Sequence, residues 1–208
     1  MKVLLINGSP KEKRCTFTAL SEVAAVLNDE GIQTEIFHIG TEPIQGCLDC
    51  RLCSKAGKCV IENDAVSAAL IKAKEADGFV FGSPVYFAGI SGQMKSFLDR
   101  LFFSSRGLLA HKPGAAVVSL RRGGSTAALE QLNKYWAISQ MILAGSQYWP
   151  MVHGNTPDEV KQDLEGMQIM RVLGRNLAWV MKSIQAGKEA GIKTPEPEKE
   201  RHRTNFIR

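Results

Sequence analysis

The chain has 208 residues, 44% of them apolar and 23% charged, which is the make-up of one soluble globular domain and leaves too little chain for two well-buried ones. No apolar run approaches the roughly 18 residues that span a bilayer, and the opening MKVLLINGSP lacks the cleavage site of a secretory leader, so the chain is expected in the cytoplasm with no membrane partner. The formal charge of +5 is spread along the chain apart from KEKR at Lys11 to Arg14 and KERHR near the end. This balance points away from nucleic acid and towards a small anionic ligand.

In chain order, KVLLING is a continuous apolar run closed by Gly8, Ser9 and Pro10, as in a strand buried on both faces of a parallel sheet. Leu20, Val23, Ala24 and Leu27 then recur at helical spacing, with Gly31 at a C-cap position. TEIFHI reads as a second strand. Beyond a cysteine-rich loop, Val66, Ala69, Leu70 and Ala73 form another helical stripe, GFVFGSPVY a third strand, and Met94, Phe97, Leu98 and Leu101 a third helix. GAAVVSL is a fourth strand, about Thr126 to Leu143 a helix, SQYWPMV a short fifth strand, and Leu177, Val180, Met181 and Ile184 mark a last long helix. Alternation of this kind predicts right-handed crossovers and an α/β doubly wound parallel sheet. The expected division is one domain over 1–186, with the cysteine loop at 46–60, and an extended arm rich in Pro, Glu and Lys over 187–208.

A doubly wound sheet binds ligands outside the carboxyl ends of its strands, and three loops leave strands there. GSPKEKRCTFT offers small residues, hydroxyls at Ser9, Thr16 and Thr18, charge at Lys11 and Arg14, and a helix N-terminus. It suits a phosphate but is neither a P-loop nor a GxGxxG fingerprint, and Gly-Ser-Pro is also an ordinary turn. Pro84, Tyr86, Phe87 and Gly89 could wall a flat ring or simply cover the sheet end. Arg121, Arg122, Gly123 and Gly124 could oppose electron density on such a ring, or form a turn with solvated arginines. One planar, phosphorylated ligand could touch all three loops.

Cys47, Cys50, Cys53 and Cys59 crowd one loop, with Cys15 as the fifth cysteine. An odd total and a reducing compartment favour ligands or redox groups over disulfides. Zinc sites pair two CxxC or CxxH units across a longer spacer, whereas Cys-x2-Cys-x2-Cys occurs in iron–sulfur proteins. His38, His111, His153 and His202 lack ligand spacing and read as surface or packing residues. No Ser-His-Asp order points to hydrolysis. Trp136, Trp149 and Trp179 read as core or interface residues, and Met167, Met170 and Met181 as core filling.

From INGSPK through CLDCRLCSKAGKC, EADGFVFGSPVY, GQMKSFLDR, RRGGS and EGMQ, most of the first 180 residues resembles the flavodoxin-like NADPH-dependent FMN reductases, and within them the iron–sulfur flavoproteins. The resemblance implies a five-stranded parallel sheet of order 2-1-3-4-5 with helices on both faces. It implies FMN as cofactor, with Ser9, Lys11, Cys15 and Thr16 at the phosphate, Pro84, Val85, Tyr86, Phe87 and Gly89 at the ribityl and ring, and Arg122, Gly123 and Gly124 at the ring edge. The family usually has asparagine at position 15 and glycines at 13 and 14, where this chain has Cys15, Lys13 and Arg14, so the phosphate contacts from that turn come from backbone or from other side chains. Cys47-x2-Cys50-x2-Cys53-x5-Cys59 looks like the compact motif of the iron–sulfur flavoproteins and implies a 4Fe–4S cluster, although similar reductases carry part of it without one. The resulting expectation is a homodimeric or homotetrameric FMN-dependent oxidoreductase passing electrons between a donor, for which NAD(P)H is the candidate, and a small-molecule or protein acceptor. A cluster-free NAD(P)H-dependent FMN or quinone reductase is the enzymatic alternative; an electron carrier or thiol redox sensor is the non-enzymatic one.

Overall fold

The alternation of Leu4 and Ile6 with Val3 and Leu5 along the first strand decides the architecture, because each pair enters a different apolar cluster. In the computed structural model, which describes residues 1–105, 107–198, 200, 202, 204 and 206, β1 (Lys2–Asn7) is fully buried from Val3 onward. It pairs in parallel with β2 (Gln33–His38) and β3 (Gly78–Tyr86), and β3 pairs in parallel with β5 (Pro113–Leu120). The fifth position of the sheet is shared by β6 (Ile142–Leu143), beside the start of β5, and β7 (Met151–His153), beside its end. The path β2-β1-β3-β5-β6/β7 is therefore the expected 2-1-3-4-5 order of a flavodoxin-like sheet, with β4 (Gly89–Ile90) as a short antiparallel return on β3.

Helices cover both faces. α1 (Cys15–Asp29) and α7 (Leu164–Glu189), with α6 (Pro157–Gln162), pack on the face of Val3, Leu5, Val80 and Val117. α3 (Ala65–Glu75), α4 (Gly92–Ser105) and α5 (Ser125–Ile138) pack on the face of Leu4, Ile6, Phe79, Phe81 and Val118. The stripes read from spacing in α1, α3 and α4 are the buried ones, and each large apolar side chain removed from water stabilises the fold by roughly 1.5–3 kcal/mol. Trp136 is wholly buried, with its ring stacked on Phe81 at a centroid distance of 4.4 Å, and it lies so close over Gly114 that a methyl there would overlap it.

Two sequence expectations are corrected. The helix expected to reach Leu143 stops at Ile138: the chain turns through Gln140 at φ 57°, Met141 N–H donates to the Trp136 carbonyl, and Ile142–Leu143 is strand. The fifth strand is not formed by SQYWP but lies on either side of it. The break borders a cavity of about 410 Å³ lined by Ala116, Leu129, Asn133, Tyr148 and Trp149, away from the three loops described below. α7 continues through Gly187 to Glu189, and of the arm expected over 187–208, positions 199, 201, 203, 205, 207 and 208 lie outside the described residues. Met167, Met170 and Met181 fill the core, whereas Trp149 and Trp179 are exposed.

Candidate functional site

Parallel strands all point their carboxyl ends one way, so the loops after β1, β2, β3 and β5 meet at one end of the sheet. The first loop is braced from within. Asn7 Oδ1 accepts from Ser9 N–H, the Ser9 hydroxyl accepts from Lys11 N–H at 3.1 Å, and Asn7 Nδ2 donates to the Glu12 carbonyl. Among the described residues, no protein group accepts from the N–H groups of residues 15–17, the first turn of α1. They form a row of free donors at the positive end of a helix, with Lys11 and Arg14 exposed beside it. Thr16 is buried and shares its hydroxyl with Ser119 at 2.8 Å. The Cys15 thiol donates to the Gly154 carbonyl at 3.5 Å, and burial pushes its pKa up, keeping it a thiol near neutral pH.

The second loop is a tight hairpin. Tyr86 pairs with Gly89, and Phe87 and Ala88 between them hold φ values of 49° and 60°, a left-handed turn that non-glycine residues adopt only at some cost in energy. Tyr86 and Phe87 project into solvent, while Pro84 and Val85 are half-buried. The Gln131 side chain of α5 accepts from Ile90 N–H at 3.0 Å and lies against Gly89. In the third loop, Gly124, at φ 91°, lies so close to the hairpin that a Cβ there would be 2.6 Å from Ala88 Cα. Gly123 faces open space, and Arg121 and Arg122 are exposed.

The loops are also fastened to one another. Ser91 donates from its hydroxyl to the Gly8 carbonyl at 2.7 Å and from its N–H to Ser83 Oγ, joining the first loop to the second. Thr16 and Ser119 join the first loop to β5, and Gly124 against Ala88 joins the second to the third. The result is a row of backbone donors on one side and an exposed aromatic hairpin beside an open glycine on the other. This can receive an anionic group and a flat ring together.

The cysteine loop leaves β2 at the same end. Asp49 and Arg51, at φ 48° and 59°, coil the chain on either side of Cys50, and Gly57 at φ 67° ends the short helix α2 (Cys53–Ala56). Cys47, Cys50, Cys53 and Cys59 all line one hollow, walled on the far side by Arg100, Phe103 and Ser104 of α4. Arg100 Nε lies 3.4 Å from Cys59 Sγ, and the Cys53 thiol lies 3.6 Å from the Phe103 carbonyl. Among the described residues, no three His, Cys, Asp or Glu side chains are gathered closely enough to hold a single ion.

Several of these residues are not distinguished by sequence alone. His38 Nε2 lies 2.7 Å from the Ser9 carbonyl, placing it against the first loop, because β2 runs in register with β1 and ends where it ends. Arg14 Nη2 donates to the Asn155 carbonyl at 3.4 Å, across a separation in sequence that no local pattern reveals. Ser83, Ser91, Asp64 and Arg100 act as braces in the same way.

Comparison with known proteins agrees with this fold. Residues 1–156 match the family of NADPH-dependent FMN reductases. An iron-sulfur flavoprotein of Methanocaldococcus jannaschii is 36% identical over 198 residues, covering 89% of this chain and all of that protein. Among solved structures, RosB, with a bound 8-demethyl-8-formylriboflavin-5'-phosphate intermediate, superposes with a TM-score of 0.72 at 15% identity, over 99% of this chain and 92% of its own. A WrbA-like flavodoxin from Agrobacterium tumefaciens gives 0.60 at 16% identity, over 88% and 98%. Among the described residues no helix is long and apolar enough to cross a membrane. On a flavodoxin-like sheet with this match over most of its length, the chain belongs to the NADPH-dependent FMN reductase family and is an FMN-dependent oxidoreductase.

Proposed function

We propose that the protein is an iron–sulfur flavoprotein that takes electrons from a reduced donor, NAD(P)H, and passes them to a small-molecule or protein acceptor. The observation that carries this reading is that the thiols of Cys47, Cys50, Cys53 and Cys59 share one hollow at the same end of the sheet as the three loops of the candidate site. Bound FMN exchanges electrons in pairs or singly, and a 4Fe–4S cluster exchanges them one at a time.

The residues present fit both groups. The free N–H groups of residues 15–17, with Ser9, Lys11, Cys15 and Thr16 around them, would hold the FMN phosphate. Pro84, Val85, Tyr86, Phe87 and Gly89 would flank the ribityl and one face of the ring. Arg122, Gly123 and Gly124 would meet its edge, the arginine opposing negative charge there. Thiolate donors on a coiled loop fit an iron–sulfur cluster, and α4 would close it from behind.

A second reading rests on the spacing of the same side chains: the sulfurs line the hollow without being drawn to ligand distance, as in a cluster-free NAD(P)H-dependent FMN or quinone reductase. Anaerobic reconstitution with FMN, ferrous iron and sulfide separates the two. The cluster reading expects four irons and four sulfides per chain and a broad visible absorption, with Cys50→Ser abolishing iron uptake and sparing FMN. Wild-type protein that holds FMN but takes up no stoichiometric iron and sulfide would establish the cluster-free reductase. Chromatography of the released flavin should give FMN; recovery of FAD would remove the assignment of the first loop to a terminal phosphate.

A further inference from the structure

We propose that Arg100 is a positioning residue for the cysteine site, holding the Cys59 sulfur in place and supplying a hydrogen bond and positive charge that stabilise a thiolate ligand of a cluster. The inference rests on the cluster reading above and goes beyond it by naming a residue outside the loop.

Arg100 sits in the third turn of α4 and is 1% exposed, the only buried side chain among the described residues that carries a fixed positive charge. Each of its nitrogens is spent on the loop or its border. Nε donates to Cys59 Sγ at 3.4 Å, Nη1 to the Gln45 carbonyl at 3.3 Å and to Asp64 Oδ2, and Nη2 to the Ile61 carbonyl at 2.9 Å. Gln45 precedes Cys47 and Ile61 follows Cys59, so one guanidinium ties both ends of the cysteine segment to one helix. Only the rigid fork of arginine reaches acceptors in so many directions; a lysine ammonium is a single point.

Asp64 is shared in a way that makes the arrangement stiff. Its Oδ1 accepts from Val66 and Ser67 N–H as the N-cap of α3, which leaves Oδ2 for Arg100. The ion pair and the two carbonyls already account for a buried arginine with a purely structural role. The donor aimed at sulfur is the surplus: a neutral thiol is a weak acceptor, whereas a metal-bound thiolate is an anion. Cys53, whose sulfur faces the Phe103 carbonyl, is met by the same face of α4, since positions 100 and 103 lie one turn apart. Hydrogen bonds and charge at ligand sulfurs set cluster potential, and partners behind the ligands set metal retention.

The test uses the full chain loaded with FMN and reconstituted anaerobically. It compares wild type, Arg100→Lys, and the double variant Asp64→Asn with Arg100→Met, which removes both charges of the pair while asparagine preserves the helix cap. Both variants should retain FMN like wild type, lose iron to a chelator about 10- to 100-fold faster, and show a cluster midpoint potential shifted to more negative values. A merely structural role would lower the unfolding midpoint without moving the potential. Should Arg100→Lys fail to fold, the double variant carries the comparison alone. Unchanged iron release and an unchanged potential in a loaded variant would overturn the proposal and leave the cluster reading standing. Wild-type protein that takes up no iron would overturn both.

Discussion

The hydroxyls of Thr16 and Ser119 meet at 2.8 Å in the interior, joining the first turn of α1 to the end of β5 across 103 positions of sequence. Removing either one strands the other without water. Thr16→Val and Ser119→Ala are each expected to lower stability by about 1–3 kcal/mol in urea denaturation, and the double variant by less than the sum, because no polar group is then left unpaired. FMN affinity separates a second role: it should fall in Thr16→Val and hold in Ser119→Ala. Equal dissociation constants in the two would take Thr16 out of the phosphate site.

Gly124 and Gly123 make a matched pair of probes. At Gly124 a side chain meets both a left-handed backbone, which penalises alanine by roughly 1–2 kcal/mol, and the backbone of Ala88. Gly124→Ala should therefore destabilise the protein and weaken FMN binding together. Gly123 has φ outside the left-handed range and open space around it, so Gly123→Leu should leave the unfolding midpoint near that of wild type and obstruct the flavin ring edge alone. Isothermal titration with FMN alongside urea denaturation reads both. A leucine tolerated at 123 with unchanged FMN affinity would move the ring elsewhere.

Tyr135 gives the fold an alkaline limit. Burial first, and then the hydrogen bond it donates to Asp99, push its phenol up to about 12. The neutral form is favoured in the folded state, so the contribution is complete below about pH 10, the unfolded value, and is lost as pH rises towards the folded one. The stability difference between wild type and Tyr135→Phe should accordingly shrink between about pH 10 and pH 12, as measured by urea titration at each pH. A difference that stays constant over that window would show that the phenol ionises alike in both states.

How much of this can be read from residues alone depends on the range of the interaction. β1, β3 and β5 are buried on both faces and so appear as unbroken apolar runs; the stripes of α1, α3 and α4 repeat at helical spacing because one face of each meets the sheet. The end of α5 is invisible at that level: Ile138, Met141, Ile142 and Leu143 continue an apolar pattern, and only pairing with Lys112 and Gly114 makes the last two residues strand. The three loops are legible as candidates since a parallel sheet fixes where they fall. Their mutual fastening is not, because Ser91 reaches Gly8 and Thr16 reaches Ser119 through the tertiary fold. The cysteine spacing stands out in the sequence, yet Arg100, 41 residues beyond Cys59, reads there as one more basic residue in FLDR.

The split between β6 and β7 has a consequence for life at high concentration. An open sheet edge is a template on which a strand from another molecule can add, and growth of that kind ends in aggregates. Here that edge offers two residues, then a seven-residue departure from the strand path, then three more, so an incoming strand finds no continuous ladder to extend. The opposite edge, β2, carries Glu35 with Lys2 and Lys72 gathered on it, and added backbone would have to strip water from those charges. Both margins are blunted, with Tyr148 and Trp149 exposed on this chain beside the break.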